Sequence, residues 1–150
     1  MKIAIGCDHG GVSVKPAILD YLKKSNIEYV DYGTNTLASV DYIDYALPVC
    51  EAVVNKECDL GILICGTGIG MSITANKVKG IRCGHCTDTF SARMTRLHNN
   101  ANVLALGERI TGAGLMVDIV DAFINTPFSN EDRHANRVEK IKQVENKNFK

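Results

Sequence analysis

The chain alternates short apolar runs with amphipathic stripes, almost without interruption, as far as residue 125. Apolar runs fall at 2–6, 28–32, 59–65, 80–86 and 102–106. Lys2-Ile3-Ala4-Ile5, Leu60-Gly61-Ile62-Leu63-Ile64-Cys65 and Asn102-Val103-Leu104-Ala105-Leu106 are close to continuously apolar. Strands of that kind are covered on both faces, as in a parallel sheet between helices. Between the runs, apolar residues recur at helical spacing. Residues 13–25 place Val14, Ala17, Ile18, Tyr21 and Leu22 on one stripe, and 44–56 do the same with Ala46, Val49, Cys50 and Val53. Residues 112–125 carry Leu115, Met116, Ile119, Val120 and Phe123, and segments 69–78 and 88–97 complete the set. Pro16 and Pro48 fall early in their stripes, where the backbone tolerates proline. The repeated strand–helix unit predicts an α/β fold. It is a three-layer α/β/α sandwich around a five-stranded, parallel, Rossmann-like sheet with right-handed crossovers.

The pattern changes after Pro127. Polar Ser129-Asn130-Glu131-Asp132 leads into a charged helical segment over 133–146 with a thin stripe of Ala135, Val138, Ile141 and Val144. Such a stripe suits either a surface helix or an arm lying on a partner subunit. The 150 residues are expected to form one domain, with about 127–150 as a C-terminal extension.

Composition narrows the partners. Seventeen basic and seventeen acidic residues cancel, so the surface as a whole draws neither nucleic acid nor anionic membrane. No run is long enough to cross a bilayer. Met1-Lys2-Ile3-Ala4-Ile5-Gly6 enters a strand directly, without an apolar leader or cleavage site, so a cytoplasmic location is expected. There the six cysteines are reduced thiols rather than a disulfide framework.

Cys83-Gly84-His85-Cys86 has the C-x-x-C spacing of thiol–disulfide oxidoreductases. Redox cysteines open a helix, whereas this pair ends a strand pattern, with Thr87 or Asp88 placed to cap the next helix. Alternation along the strand sends Cys83 and Cys86 to opposite faces. No second ligand pair stands at zinc spacing. Buried strand cysteines are the preferred reading.

In a parallel sheet, ligands bind beyond the carboxyl ends of the strands. The first strand ends in Gly6-Cys7-Asp8-His9-Gly10-Gly11 and the third in Cys65-Gly66-Thr67-Gly68-Ile69-Gly70. Glycines at alternate positions let backbone N–H groups close around an anion, a phosphate or a developing oxyanion. Cys65 stands at the mouth of that loop, where a thiolate is favoured. It suits proton abstraction next to a carbonyl or nucleophilic attack. A plain packing turn remains the competing reading. Dinucleotide binding fits less well, because its glycine fingerprint belongs after the first strand, even though Asp88 offers an acidic residue. A second cluster, His98 and Asn99, follows a helix and precedes the fifth strand. It therefore lies at the sheet edge opposite Cys65, and only a subunit interface could unite the two. A histidine capping a helix end is the alternative. Arg109 follows the fifth strand, and Arg133 and Arg137 stand one turn apart, forked donors suited to a phosphate.

Together, Gly6–Gly11, Ile64–Gly70, His98-Asn99-Asn100-Ala101-Asn102-Val103-Leu104, Gly107-Glu108-Arg109 and Arg133-His134-x-x-Arg137 resemble the ribose-5-phosphate isomerase B family. That family is grouped with the galactose-6-phosphate isomerase subunits. The resemblance, over about residues 1–145, implies interconversion of ribose 5-phosphate and ribulose 5-phosphate in pentose phosphate metabolism, with no metal or organic cofactor. It implies Cys65 as the base that moves a proton between C1 and C2. Thr67 and the amides of Gly66, Gly68, Ile69 and Gly70 would hold the enediolate oxygens. His98, with Asp8, would open the furanose ring, and Asn99 would hold the sugar. His9, Arg109, Arg133 and Arg137 would bind the phosphate. Some members of the family use a carboxylate elsewhere instead of the cysteine; Ile73 and Thr74 in the following helix offer none. The family's shared sites imply a homodimer or tetramer. A six-carbon aldose phosphate, such as allose 6-phosphate or galactose 6-phosphate, is the alternative substrate. A phosphate-ligand binding protein or a redox protein using Cys83 and Cys86 is the more distant one.

Overall fold

The computed structural model describes residues 1–149. Five strands, β1 (Lys2–Cys7), β2 (Glu28–Asp31), β3 (Leu60–Cys65), β4 (Cys83–His85) and β5 (Val103–Gly107), form one parallel sheet in the order β2-β1-β3-β5-β4. Six α-helices alternate with them or follow: α1 (Lys15–Lys24), α2 (Tyr42–Val54), α3 (Ile69–Ala75), α4 (Thr89–Asn99), α5 (Ala113–Ile124) and α6 (Asp132–Asn148). This is the predicted α/β sandwich.

Even the continuous apolar runs alternate in use. Ile3, Ile5 and Cys7 of β1, Ile62 and Ile64 of β3, and Leu104 and Leu106 of β5 pack with Ile18, Leu22, Met116 and Phe123 of α1 and α5. Their neighbours Ala4, Leu63, Cys65, Val103 and Ala105 pack with Val49, Val53 and Met71 of α2 and α3. Helix α2 comes unusually close to the sheet. A Cβ on Gly6 would lie 2.5 Å from the Tyr45 carbonyl oxygen, and one on Gly61 would lie 2.7 Å from Val49.

Four boundaries differ from the sequence reading. Helix α2 begins at Tyr42, which places Pro48 inside the helix rather than in its first turn. The carbonyl that loses its i+4 partner belongs to Asp44, which is exposed and can bond to water. Helix α3 stops at Ala75 because Asn76 turns back: its amide donates to the Ser72 and Cys83 carbonyls and accepts from the Cys83 N–H. Strand β4 is only three residues long, since Gly80 adopts φ 89° and Arg82 N–H bonds to the Asn102 side chain instead of a strand. Helix α4 extends to Asn99, so His98 and Asn99 lie within its last turn rather than after it. No helix among the described residues is long and apolar enough to cross a membrane.

The strand order reverses between β1 and β3: β2 lies outside β1, and β5 and β4 lie outside β3. Connections diverge there, and a crevice opens at the carboxyl ends of β1 and β3.

Candidate active site

Two glycine-rich loops line that crevice. Asp8 caps a single 3-10 turn (His9–Gly11), its Oδ1 accepting from the Gly10 N–H at 2.8 Å. Gly10 lies directly against the second loop, so that a Cβ there would come within 2.8 Å of the Gly66 nitrogen. In the second loop Gly68 takes φ 80°, a left-handed conformation natural to glycine. That turn aims the Gly68 N–H at the Cys65 Sγ, 3.1 Å away. The Ile69 N–H donates to Thr67 Oγ1 at 3.3 Å. Two amides of the expected anion cradle are thus committed within the loop, one of them to the thiol itself. Helix α3 has seven residues rather than the longer span expected, so the site depends on the loop more than on a long helix dipole.

A cavity of about 230 Å³ lies between the loops, lined by Asp8, His9, Gly10, Tyr42, Cys65, Gly66, Thr67, Gly70 and Arg109. Cys65 is 5% exposed at its wall. Arg109 folds over the loop, its guanidinium carbon 3.1 Å from where a Cβ on Gly66 would stand, and its N–H bonds to the Gly66 carbonyl at 2.9 Å. The cation thus lies over the Gly66 backbone and lines the same cavity as the thiol, where a phosphate or an enediolate would be stabilised.

His9 is oriented from behind. The Val40 N–H donates to its Nδ1 at 3.2 Å, which leaves a neutral ring's proton on Nε2, as a donor. The segment carrying Val40 is anchored by buried Lys15, which bonds to the Thr34 carbonyl at 3.0 Å and Asn35 Oδ1 at 2.9 Å and pairs with Asp31 at 2.8 Å. Cys7, next to Asp8, is no rival to Cys65. Burial pushes its thiol up to about 11, against the pull of Lys15, and its Sγ donates to the Thr34 carbonyl.

The remaining candidates lie elsewhere. His98 and Asn99 are on the last turn of α4, and Arg133 and Arg137 are exposed on the first turns of α6. None of the four lines the cavity. Arg133 pairs with Glu131 at 2.9 Å. The His98 ring stacks on His134, their centroids 4.3 Å apart. Within one chain, then, the candidate residues form two groups, as the position of His98 in the sequence implied.

The C-x-x-C pair is split, with Cys86 buried and Cys83 half-buried. Cys83 packs with the α2–α3 side of the core and Cys86 with the α1–α5 side. Burial pushes the Cys86 thiol up to about 11 and raises that of Cys83 well above its ordinary value. Neither environment favours a thiolate. Asp88 caps α4 by accepting from the Ser91 N–H at 2.7 Å, and the described residues hold no cluster suited to a metal ion.

Known proteins share this fold. The ribose/galactose isomerase family pattern matches residues 3–141. The chain belongs to the ribose/galactose isomerase family. It is 54% identical to the Bacillus subtilis protein YwlF over 150 residues, 99% of this chain and all of that one. It is 46% identical to ribose-5-phosphate isomerase B of Escherichia coli over 144 residues, 96% of each. The solved structure of Clostridium thermocellum ribose-5-phosphate isomerase B superposes with a TM-score of 0.95 at 55% identity, covering 98% of this chain and 99% of that one. As a member of this family, the chain is a sugar-phosphate isomerase.

Tyr42, and the contacts of Ser129 and His134, escaped the sequence reading. The Tyr42 ring walls the cavity and packs on Gly70, where a Cβ would lie 2.8 Å from its ring carbon. Helical spacing gave no hint of it, because Tyr42 precedes the apolar stripe. Ser129 and His134, which hold His98, come together only through the path of the chain after α5. His134 was legible as part of Arg133-His134-x-x-Arg137, but its contact with α4 was not.

Proposed function

We propose that the enzyme interconverts ribose 5-phosphate and ribulose 5-phosphate through ring opening and a cis-enediolate. The observation that carries this reading is the Cys65 thiol, held by the Gly68 amide, in a small cavity with Asp8, His9, Thr67 and Arg109. His98, with Asp8, moves the anomeric hydroxyl proton while the C1–O4 bond breaks and O4 takes up a proton, giving the open aldehyde. Cys65 then removes the C2 proton, and the pair of electrons left behind forms the enediolate. Its oxygens rest on Thr67 and the loop amides. The O2 hydrogen passes to O1, and the thiol returns its proton to C1 as the C2 carbonyl forms, which completes the ketose. Asn99 holds the sugar chain, and His9, Arg109, Arg133 and Arg137 bind the phosphate. No metal or organic cofactor takes part.

The two groups of residues meet across an interface in a homodimer or tetramer, each site taking Cys65 from one chain and His98, Asn99, Arg133 and Arg137 from another. A shared site is supported by the cavity lining, which includes none of His98, Asn99, Arg133 and Arg137. Exposed apolar residues on α2, α3 and α6, among them Leu47, Ile73 and Val144, are consistent with such an interface.

The test is kcat/KM across five- and six-carbon aldose phosphates, for the natural chain and for Cys65→Ala. The expected ranking puts ribose 5-phosphate above allose 6-phosphate and galactose 6-phosphate by about 10-fold or more, the scale on which a pocket resolves one carbon. Cys65→Ala is expected to lower turnover by about 10³-fold. A six-carbon preference would move the substrate assignment, and full activity in Cys65→Ala would remove the thiol as base.

A further inference from the structure

His98 has a neighbour that the reaction above does not use. His134, in the first turn of α6, is 3% exposed. Its ring lies against that of His98 at 4.3 Å between centroids, with the planes inclined by 34°. His134 is itself held, because Ser129 Oγ stands 2.6 Å from its Nδ1. The Ser129 hydroxyl accepts from the Glu131 N–H at 3.3 Å, and its own hydrogen can be donated to Nδ1. That bond selects the tautomer with the ring proton on Nε2. Ser129 is in turn tied to the helix that carries His98, its N–H donating to the Leu97 carbonyl at 3.0 Å. Leu97, Ser129, His134 and His98 therefore close a ring of contacts around the end of α4.

The charges facing this ring are known from every side. Arg133 and Arg137 come from α6, Glu131 from the loop before it and His98 from α4. Burial first, then His98 and the arginines, hold His134 below the usual histidine range, with Glu131 opposing.

We infer that Ser129 and His134 are positioning residues for His98, fixing the direction of its imidazole so that it meets the hemiacetal oxygens of the bound sugar. The assignment rests on His98 as the ring-opening group. It goes further by naming what aims it. A ring attached only through its own side-chain torsions would sweep several orientations at a helix end, and small misplacements of an acid–base group cost large factors in rate.

The chemistry offers a way to isolate the ring step. Ribulose 5-phosphate carries its phosphate on O5 and has no furanose to open. Deuterium wash-in at its C1 in heavy water, followed by proton NMR, therefore reports the Cys65 proton transfer alone. Turnover of ribose 5-phosphate adds the ring step. His134→Ala is expected to lower kcat on ribose 5-phosphate by about tenfold or more, the scale for losing a group that orients an active-site imidazole. Its KM should stay within about twofold and its wash-in rate should be retained. His134→Phe, which keeps a stacking ring, should recover most of that loss, and Ser129→Ala should fall between the two. Thermal melting of each variant shows whether it is folded. If His134→Ala does not fold, Ser129→Ala against His134→Phe carries the same comparison.

Equal loss of wash-in and turnover in these variants, or full turnover without the ring at 134, overturns the inference. His98→Asn separates it from the reading beneath. That variant must show the same split at greater depth. If it does not, the role of His98 fails; if it does and the variants at 134 and 129 do not, only the positioning role fails.

Discussion

The two groups of candidate residues are built in opposite ways. At the carboxyl edge of the sheet, the wall around Cys65 is made of backbone: Gly10 pressed against Gly66, Gly68 in a left-handed turn, and amides aimed at the thiol and at Thr67. At the other edge, the wall around His98 is made of side chains: an imidazole stacked on another, a serine holding the second, and two arginines on the face of α6. A backbone wall is rigid because its shape is fixed by φ and ψ and by contacts too close for a side chain. A side-chain wall is set by packing between elements distant in sequence, here α4, the loop after α5, and α6. In the proposed reaction, the first would provide fixed donors for developing charge, and the second groups that move protons and grip an anion. Ring opening and proton transfer demand those different kinds of support.

The largest expected effect breaks the comparison at its centre. Cys65→Ala and His98→Ala chains, each nearly inactive alone, are mixed under conditions of proven subunit exchange. If each site takes one wall from each chain, hybrid dimers carry one intact and one doubly damaged site. Half the dimers are hybrids and half of their sites are whole, so about a quarter of the natural activity should return. No recovery would mean that the walls do not meet across an interface, and the reading of His98 would have to change with it.

A smaller effect tests how far the first wall depends on backbone alone. Gly68→Ala puts a Cβ at φ 80° and 2.7 Å from the His85 ring. The left-handed conformation costs about 1–2 kcal/mol for an L-residue, and relief requires the loop to move its N–H away from Cys65. Turnover is expected to fall by about 10²-fold, as when one oxyanion donor is lost, with only a modest drop in melting temperature. Unchanged kcat would show that the Gly68 amide does not support the thiol.

The same difference in construction explains what the sequence disclosed. Strand runs and helical stripes are local, so the five strands, the order of elements and the sandwich were legible, as were the glycine loops at the ends of β1 and β3. Legibility failed where a side chain from far away decides the outcome. Asn76 ends α3 by pairing with Cys83, and Asn102 holds Arg82 out of β4. The helical spacing from 44 onward hid Tyr42, although Asp41 and Tyr42 begin the helix that walls the cavity. The contact of His134 with His98 needs the whole course of the chain after α5, and no spacing within Arg133-His134-x-x-Arg137 reveals it.

The smallest expected effect concerns residues that belong to neither wall. Cys83 and Cys86 sit on opposite sides of the sheet, and burial keeps both thiols protonated at neutral pH. For Cys86, with its thiol near 11, the thiolate is about one part in a thousand at pH 8. The sign follows directly: raising the pH through the physiological range charges neither residue, so neither adds a limb to the pH–rate profile there. Replacing both by serine should leave kcat/KM within about twofold, at the expense of some stability, because each hydroxyl enters a largely buried apolar site. Treating the natural enzyme with a mild thiol oxidant should likewise form no Cys83–Cys86 bond, measurable as an unchanged free-thiol count for that pair. Loss of turnover in the double variant, in chains that melt as cooperatively as the natural enzyme, would bring the C-x-x-C pair back into the chemistry. It would also show that the sheet edge carries a third functional region besides the two walls.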